Sequence, residues 1–207
     1  MDYKHYQNMR DASWRILRDC GIDRLPVDLN AVCASLGIHA RSYTDVRSRI
    51  GRLPQQCSDA DGIIYFRRGE PVLLYDDTTT DGRARFTVAH EIGHLVLGHV
   101  EIGLPLHRTN LGSVDPRERA ANQFATRLLA PACVLWGLDL HTPEDIAVAC
   151  NISITAAAFR AERMEELYRR GKFLTSPLEQ AVYDQFAGYI RGCASSRPAN
   201  PNREDHP

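Results

Sequence analysis

The sequence has no long hydrophobic run and almost no net charge, and each absence argues against a broad class of protein. No apolar stretch approaches the ~18 residues that a membrane-spanning helix requires, so no membrane association is expected. The 25 lysines and arginines nearly balance the 26 aspartates and glutamates, which leaves a net charge of −1. No basic field therefore draws the chain toward nucleic acid. Hydrophobic residues make up 43% of the 207 positions and charged residues 25%, which is typical of a globular protein.

The cysteines lack the paired spacing of a metal-binding knuckle or a redox motif. Six of them are scattered along the chain without a Cys-x-x-Cys pair, at positions 20, 33, 57, 133, 150 and 193. The first residues also lack the charged-then-apolar pattern of a secretory signal. We therefore expect reduced, mostly buried thiols and a cytoplasmic protein.

The most informative segment is residues 85–99, which run RFTVAHEIGHLVLGH. His90 and His94 are four residues apart, so on a helix both imidazoles project from one face and can bind one Zn²⁺. Glu91 is one step around the helix, where its carboxylate can serve as general base without being a ligand. A chance match and a structural pair of buried histidines are the alternatives. Burying these groups among apolar residues is costly unless they coordinate something, which favours the metal site.

Two histidines leave a catalytic zinc short of one protein ligand. The extension that places a third histidine on the same segment needs Gly at 97 and His at 100, but the chain has Leu97 and Val100. Among the downstream carboxylates, Glu118 extends an apolar helical stripe toward its N-terminal end. The stripe consists of Ala121, Phe124, Ala125, Leu128 and Leu129. On spacing alone, a zinc ligand and a solvent-exposed first-turn glutamate, favoured by the helix dipole, are equally supported.

Taken together, the two segments resemble the ImmA/IrrE family of zinc metallopeptidases. The resemblance lies in FTVAHEIGH at 86–94 and in Glu-x-x-Ala-Asn-x-Phe-Ala-x-x-Leu-Leu-x-Pro at 118–131, with further agreement in LPVDL at 25–29 and LGI at 36–38. It covers about residues 10–165. The family commonly has Met before the final proline, where this chain has Ala130, a packing position at a helix end.

The resemblance implies a zinc-dependent endopeptidase. Its zinc ligands would be His90, His94 and Glu118, and its catalytic base Glu91. The family also implies a helix-turn-helix transcriptional repressor as the partner, which the protein would cleave or relieve. The alternative is a repressor-binding or toxin–antitoxin-like partner protein that does not cut. A DNA-binding regulator with structural zinc is disfavoured, because such a site takes four protein ligands and no fourth is evident.

Other residues are candidates for supporting roles near the metal. Asn122 shares the stripe of Glu118 and could hold a ligand in place. Oxyanion stabilisation could come from His99, His107, Tyr65 or Tyr75, although for each of these four a packing or solvent-exposed position is the stronger interpretation.

The predicted fold is α+β and zincin-like: a small antiparallel sheet packed on a buried metal-binding helix at 83–99, followed by a helical C-terminal part. Residues 62–66 and 71–75 predict the hairpin, 38–43 a weak strand, and 45–60 a loop. We expect a metallopeptidase core at 1–140, a helical subdomain at 141–193 and a disordered tail at 194–207.

Thr142 and Ser153 are typical N-cap residues, and the two helices that they predict have the spacing of a helix-turn-helix. Ser176 begins a capping box that predicts a last helix to about residue 190. The second helix of the pair begins with Ile154, Thr155 and three alanines. A recognition helix presents polar and basic side chains there, so direct DNA binding is not expected.

Overall fold

The N-terminal part of the described chain contains three helices and one short strand. The computed structural model describes residues 3–57, 60–100 and 115–196. The elements of this part are α1 (Tyr3–Asp19), α2 (Leu29–Ser35), β1 (His39–Ser42) and α3 (Tyr43–Ile50). Asp28 starts α2 by accepting hydrogen bonds from the backbone N–H groups of Asn30 and Ala31, as expected of an N-cap residue.

Helix α3 corrects the prediction of a loop over residues 45–60, which also contain a 3₁₀ turn at Gln55–Cys57. The side chain of Ser42 accepts a hydrogen bond from Asp45 N, and Gly51 ends the helix with φ of 74°. The helix is short and mostly exposed, so it has too few apolar residues to produce a periodic signal. Its two ends, Ser42 and Gly51, were the detectable signs.

The predicted hairpin is confirmed as β2 (Gly62–Arg67) and β3 (Glu70–Tyr75). Arg68 and Gly69 form its two-residue turn, both with positive φ, as in the turn type that matches strand twist. Strand β1 pairs in parallel with β3, so the strand order is β1-β3-β2. The sheet is therefore mixed, whereas the prediction was an antiparallel sheet. Strand β1 is followed along the chain by helix α3 and not by a hairpin turn, so it can lie parallel to β3.

The sheet lies on a buried helix, α4 (Asp81–Val96), which is crossed by α5 (Pro116–Leu129). Every residue from Thr87 to His94 is buried, which confirms the predicted buried helix. The crossing is close at Gly93. A Cβ atom there would lie 2.9 Å from Cδ1 of Phe124 and 3.3 Å from the backbone of Ala121. The missing side chain of Gly93 therefore lets the N-terminal half of α5 approach the α4 histidines.

Four helices follow in the described C-terminal part of the chain, and the last three of them begin where their capping residues predict. They are α6 (Ala132–Gly137), α7 (Pro143–Cys150), α8 (Ile154–Arg169) and α9 (Pro177–Ser196). Thr142 and Ser153 accept hydrogen bonds from the N–H groups of Asp145 and Ala156. The last helix is longer than predicted, since α9 continues to Ser196. Within the described residues, no helix combines the length and apolar character needed to cross a membrane.

One continuous hydrophobic core runs from α1 to α9 and includes Trp14, Phe124 and Phe186. Helix α9 lies against α1 and α6. Gln185 of α9 donates hydrogen bonds to the carbonyl oxygens of Leu17 and Ile22, at 2.8 and 2.6 Å. The division into a core at 1–140 and a subdomain at 141–193 stays a prediction. Of the predicted tail at 194–207, residues 197–207 lie outside the described part of the chain.

The six cysteines are all free thiols, as predicted. Cys33, Cys57, Cys133 and Cys150 are buried. Burial raises the pKa of Cys133 and of Cys150 to about 12 in each case. These thiols are therefore neutral core residues at physiological pH.

Candidate metal centre

Helix α4 brings His90 and His94 together at its buried centre. The side chains are one helical turn apart, and their Nε2 atoms lie 2.9 Å from each other. The two residues are 5% and 2% exposed. Two imidazole nitrogens thus converge in a region that excludes most water.

Glu118 approaches the same point from α5. Its two carboxylate oxygens lie 3.2 Å from Nε2 of His90 and 3.3 Å from Nε2 of His94. Asp115 accepts a hydrogen bond from Arg117 N, and Pro116 takes the first helical position. This start places Glu118 in the first turn. Hydrogen bonding with His90 and then His94 holds the pKa of Glu118 well below its usual range, so the group is a carboxylate at neutral pH.

These donor atoms fit a tetrahedral zinc ion. A tetrahedron with bonds of ~2.0 Å has edges of about 3.3 Å, and the three groups are 2.9 to 3.3 Å apart. The tautomer of His90 also agrees with metal binding at Nε2. The Nδ1 atom of this ring lies 2.9 Å from Oδ1 of Asn122. An amide oxygen only accepts, so Nδ1 carries the proton and the lone pair of Nε2 points at His94 and Glu118. A cation satisfies such converging lone pairs.

Asn122 lies behind a candidate ligand, and its role in holding that ligand in place stays a prediction. It is one turn beyond Glu118 on α5, and its side chain contacts the far side of the His90 ring. The group of His90, His94 and Glu118 is the cluster able to hold a metal within the described residues.

His99 lies behind the second histidine. Its Nδ1 is 3.1 Å from Nδ1 of His94, on the side of the ring that faces away from the other donors. The end of α4 accounts for this position. Gly98 has φ of 71°, Gly98 N donates to Leu95 O and His99 N donates to His94 O, which is a Schellman turn. Burial, with the neighbouring His94, lowers the pKa of His99 to about 4, so its ring is neutral.

Glu91 is a buried residue of α4 that lies next to the sheet. It is 4% exposed, follows His90 directly and faces the start of β2. A Cβ atom at Gly62 would lie 3.3 Å from Cγ of Glu91. Gly62 thus makes room for the side chains of Thr87 and Glu91, because the same Cβ atom would lie only 2.5 Å from Cγ2 of Thr87.

The remaining oxyanion candidates, Tyr65, Tyr75 and His107, differ in position. Tyr65 packs with Tyr43 and Cys57 on the sheet face opposite α4, because neighbouring strand residues alternate between faces. Tyr75 is half-buried against the main core. No contact of either ring with the histidine group is found among the described residues, and His107 lies outside them. An oxyanion role for any of these residues, or for His99, stays a prediction.

Sequence reasoning missed the two glycines that shape the site, Gly62 and Gly93. Gly93 stands inside a strongly helical pattern, and a glycine in that position often marks a close packing contact. That signal was present in the sequence. Gly62 starts a strand, where nothing in the local pattern indicates which side chain it faces.

Comparison with known protein families agrees with this geometry. The family described as IrrE N-terminal-like domain, a peptidase family (Peptidase_M78), matches residues 46–162. No curated protein matches the chain. The matched region includes α4, α5 and the hairpin beside them, and confirms the resemblance drawn from the two motifs. Because the match spans more than half of the 207 residues, the chain belongs to the IrrE N-terminal-like peptidase family.

Proposed function

We propose that this protein is a cytoplasmic zinc-dependent endopeptidase whose substrate is a helix-turn-helix transcriptional repressor. The observation that carries the proposal is the convergence of three donor groups, His90, His94 and Glu118, beside a buried carboxylate that is not one of them. Three protein ligands leave a fourth position for substrate or water, as in catalytic zinc sites.

Glu91 is the general base of the proposed reaction. Its carboxylate takes a proton from the attacking water and passes it to the leaving amine. When bound, zinc would polarise the scissile carbonyl and acidify the water that attacks it. Burial of Glu91 at 4% exposure keeps it in a region of low dielectric, where its interaction with developing charge is strong.

The substrate segment is proposed to bind along β2. Among the described residues, β2 pairs with β3 on one side, and its other edge has no strand partner. Gly62 at the start of β2 faces Glu91, so an extended chain added to this edge passes beside the base. Strand addition supplies main-chain hydrogen bonds without demanding a particular sequence.

A protein partner is also supported by the surface of the α7–α8 pair. Val148, Ile154 and Phe159 are 82%, 52% and 70% exposed. These large apolar side chains are unusual on a solvent-facing helix pair and are suited to contact with another protein. They do not suit the polar and phosphate contacts of DNA binding.

The test compares Glu91→Gln with wild type in cells that also produce a candidate substrate, which would be any helix-turn-helix repressor found to be encoded beside this gene. Glutamine keeps the size of the side chain and leaves the three donors intact, but it cannot accept the proton. General-base loss costs ~10²–10⁴-fold in rate. Wild type should shorten the repressor and Glu91→Gln should leave it whole, as seen by immunoblotting.

The matched control is Glu144→Gln, an equal change at an exposed first-turn position of α7, which should cleave like wild type. Purified wild type and Glu91→Gln should each hold about one zinc per chain by elemental analysis. Relief of repression by Glu91→Gln with the repressor intact in every sample would instead establish the non-cleaving partner protein.

A further inference from the structure

The short segment at residues 60–62 leads into β2 and lies against the helix that carries the proposed base. At Gly62 the backbone approaches α4 so closely that a Cβ atom would lie 2.5 Å from Cγ2 of Thr87 and 3.3 Å from Cγ of Glu91. Interiors packed to this density transmit small shifts to their neighbours. A movement of this segment therefore changes the space that is open to the side chain of Glu91.

Tyr43, the first residue of α3, holds the same segment. Its hydroxyl group donates a hydrogen bond to the carbonyl oxygen of Ala60 at 2.9 Å. The side chain is 3% exposed and belongs to the smaller of the two hydrophobic cores, together with Cys57 and Leu74. Burial, followed by the neighbouring Cys57, raises the pKa of Tyr43 well above its usual range. The hydroxyl group therefore keeps its proton and remains a donor.

Two further contacts hold Asp61, between Ala60 and Gly62. Its backbone oxygen accepts a hydrogen bond from Asp76 N at 2.8 Å, which continues the pairing of β2 with β3 by one residue. Its carboxylate pairs with Arg83 at 2.8 Å, but the two side chains are 40% and 61% exposed. Exposed ion pairs contribute little. Water competes less with a hydrogen bond made by a buried side chain, so the contact from Tyr43 is the stronger restraint of the two that side chains make.

We propose that Tyr43 is a positioning residue for Glu91. By holding the carbonyl group of Ala60, it keeps the backbone of Gly62 against Glu91 and limits the positions that the carboxylate can take. The inference rests on the proposed function, in which Glu91 is the general base. A base has to lie within hydrogen-bond reach of the proton that it takes, and a misplacement of ~1 Å can cost about 10²-fold in rate.

The test variant is Tyr43→Phe, which removes only the hydroxyl group. The matched control is Tyr168→Phe in α8, because the hydroxyl group of Tyr168 is buried and has no hydrogen-bond partner among the described residues. Initial rates at increasing concentrations of the candidate repressor give kcat and KM. Hydrogen–deuterium exchange of the metal-free proteins, followed by mass spectrometry, measures the opening of residues 60–66 independently of catalysis. Chelator competition measures zinc affinity.

Tyr43→Phe should lower kcat about 10-fold or more and leave KM within about 2-fold of wild type, as for an interaction that matters in the transition state. The pairing of β2 with β3 keeps the strand itself in place. Amide exchange at residues 60–66 should be about 10-fold faster, because a local restraint is lost. Zinc affinity should not change, since the three ligands belong to α4 and α5. Tyr168→Phe should match wild type in every measurement.

Unchanged kcat, a loss confined to KM, unchanged exchange, or an equal loss in Tyr168→Phe would overturn the inference. Arg83→Gln, which removes the exposed ion pair with Asp61, should have the smaller effect. A larger effect than that of Tyr43→Phe would assign the positioning to this pair instead. If wild type leaves the repressor whole, the proposed function fails, and the exchange rates alone then decide whether Tyr43 holds the segment.

Discussion

At the scale of single residues, each ligand imidazole of the candidate metal centre has a hydrogen-bonding partner at Nδ1, on the side of the ring opposite its ligating Nε2. Asn122 contacts Nδ1 of His90 at 2.9 Å, and His99 contacts Nδ1 of His94 at 3.1 Å. Such contacts select the tautomer whose Nε2 is free to ligate and fix the plane of the ring. His99 depends on the positive φ of Gly98, which turns the chain back over His94.

Replacing His99 should weaken metal binding without removing a ligand. We expect His99→Leu to lower zinc affinity ~10–100-fold, as loss of such an orienting partner typically does. His99→Gln should recover much of the loss, because its side-chain oxygen can accept the hydrogen bond from Nδ1–H of His94. Competition of the metal-free protein with a chromophoric chelator measures both. Equal affinity of the Leu variant and wild type would show that His94 needs no such support.

The sequence predicts those site residues whose positions follow from the regular spacing of residues along a helix. The helical period places His90, Glu91 and His94 on known faces, so these residues could be singled out. The apolar stripe made Glu118 only one of two equal possibilities, and the family resemblance was needed to favour it as a ligand. The position of His99 could not be predicted, because it follows the end of the helix and its direction is set by the turn at Gly98. An orienting residue of this kind is visible only once that turn is built.

At the scale of elements, the contact between α4 and α5 sets the distance between the ligands. The two histidines belong to α4 and Glu118 to α5. The helices meet where Gly93 faces Ala121 and Phe124. Phe124 is fully buried, so it has little space into which it can move.

A methyl group at this contact should push the two helices apart. For Gly93→Ala we expect a loss of about 1–3 kcal/mol in the free energy of unfolding, typical of an overpacked core. Zinc affinity should fall with it, since Glu118 moves away from the histidines. Urea unfolding and chelator competition test the two effects.

The matched control is Gly188→Ala in α9, where a Cβ atom meets no atom within 4 Å. Better helix propensity should leave that variant as stable as wild type, or up to about 1 kcal/mol more stable. If both substitutions behaved alike, close approach at Gly93 would not be what positions α5.

Helices and strands could be predicted where their apolar residues follow a regular spacing or where a characteristic turn sequence joins them. The hairpin and α4 have clear signals, whereas α3 is an arginine-rich helix in which neither Val46 nor Ile50 establishes a period. The parallel pairing of β1 with β3 joins His39 to Val72. No local pattern encodes a partner so far along the chain, so the mixed sheet could not be derived from strand propensity.

At the scale of the whole molecule, buried thiols are distributed through the core and couple stability to alkaline pH. Burial raises the pKa of Cys33 to about 11 and those of Cys133 and Cys150 to about 12. In the unfolded chain a thiol titrates near ~8.5. The folded state therefore keeps these protons over a range of pH in which the unfolded state loses them.

Stability should be unaffected by these thiols below about pH 8 and should fall as the pH rises toward 11 to 12. By pH 10 the loss should be roughly 1–2 kcal/mol per fully buried thiol. Urea unfolding at pH 8 and pH 10 measures it. Cys150→Ala should be less stable at both pH values because it leaves a cavity. The decrease in its free energy of unfolding between pH 8 and pH 10 should, however, be smaller than that of wild type by the amount expected for one thiol. An unchanged difference would assign the alkaline loss to other groups.

The edge of β2 that has no strand partner among the described residues has a consequence for the protein when it is concentrated and no substrate is present. An unpaired strand edge can pair with the same edge of a second molecule, and the uncharged run from Gly62 to Phe66 is rich in residues that favour this association. Arg67 and Arg68 follow directly and are exposed. Charges next to such a run oppose stacking of identical copies. The two arginines therefore act as a safeguard against aggregation at the edge that the proposed reaction requires to be open.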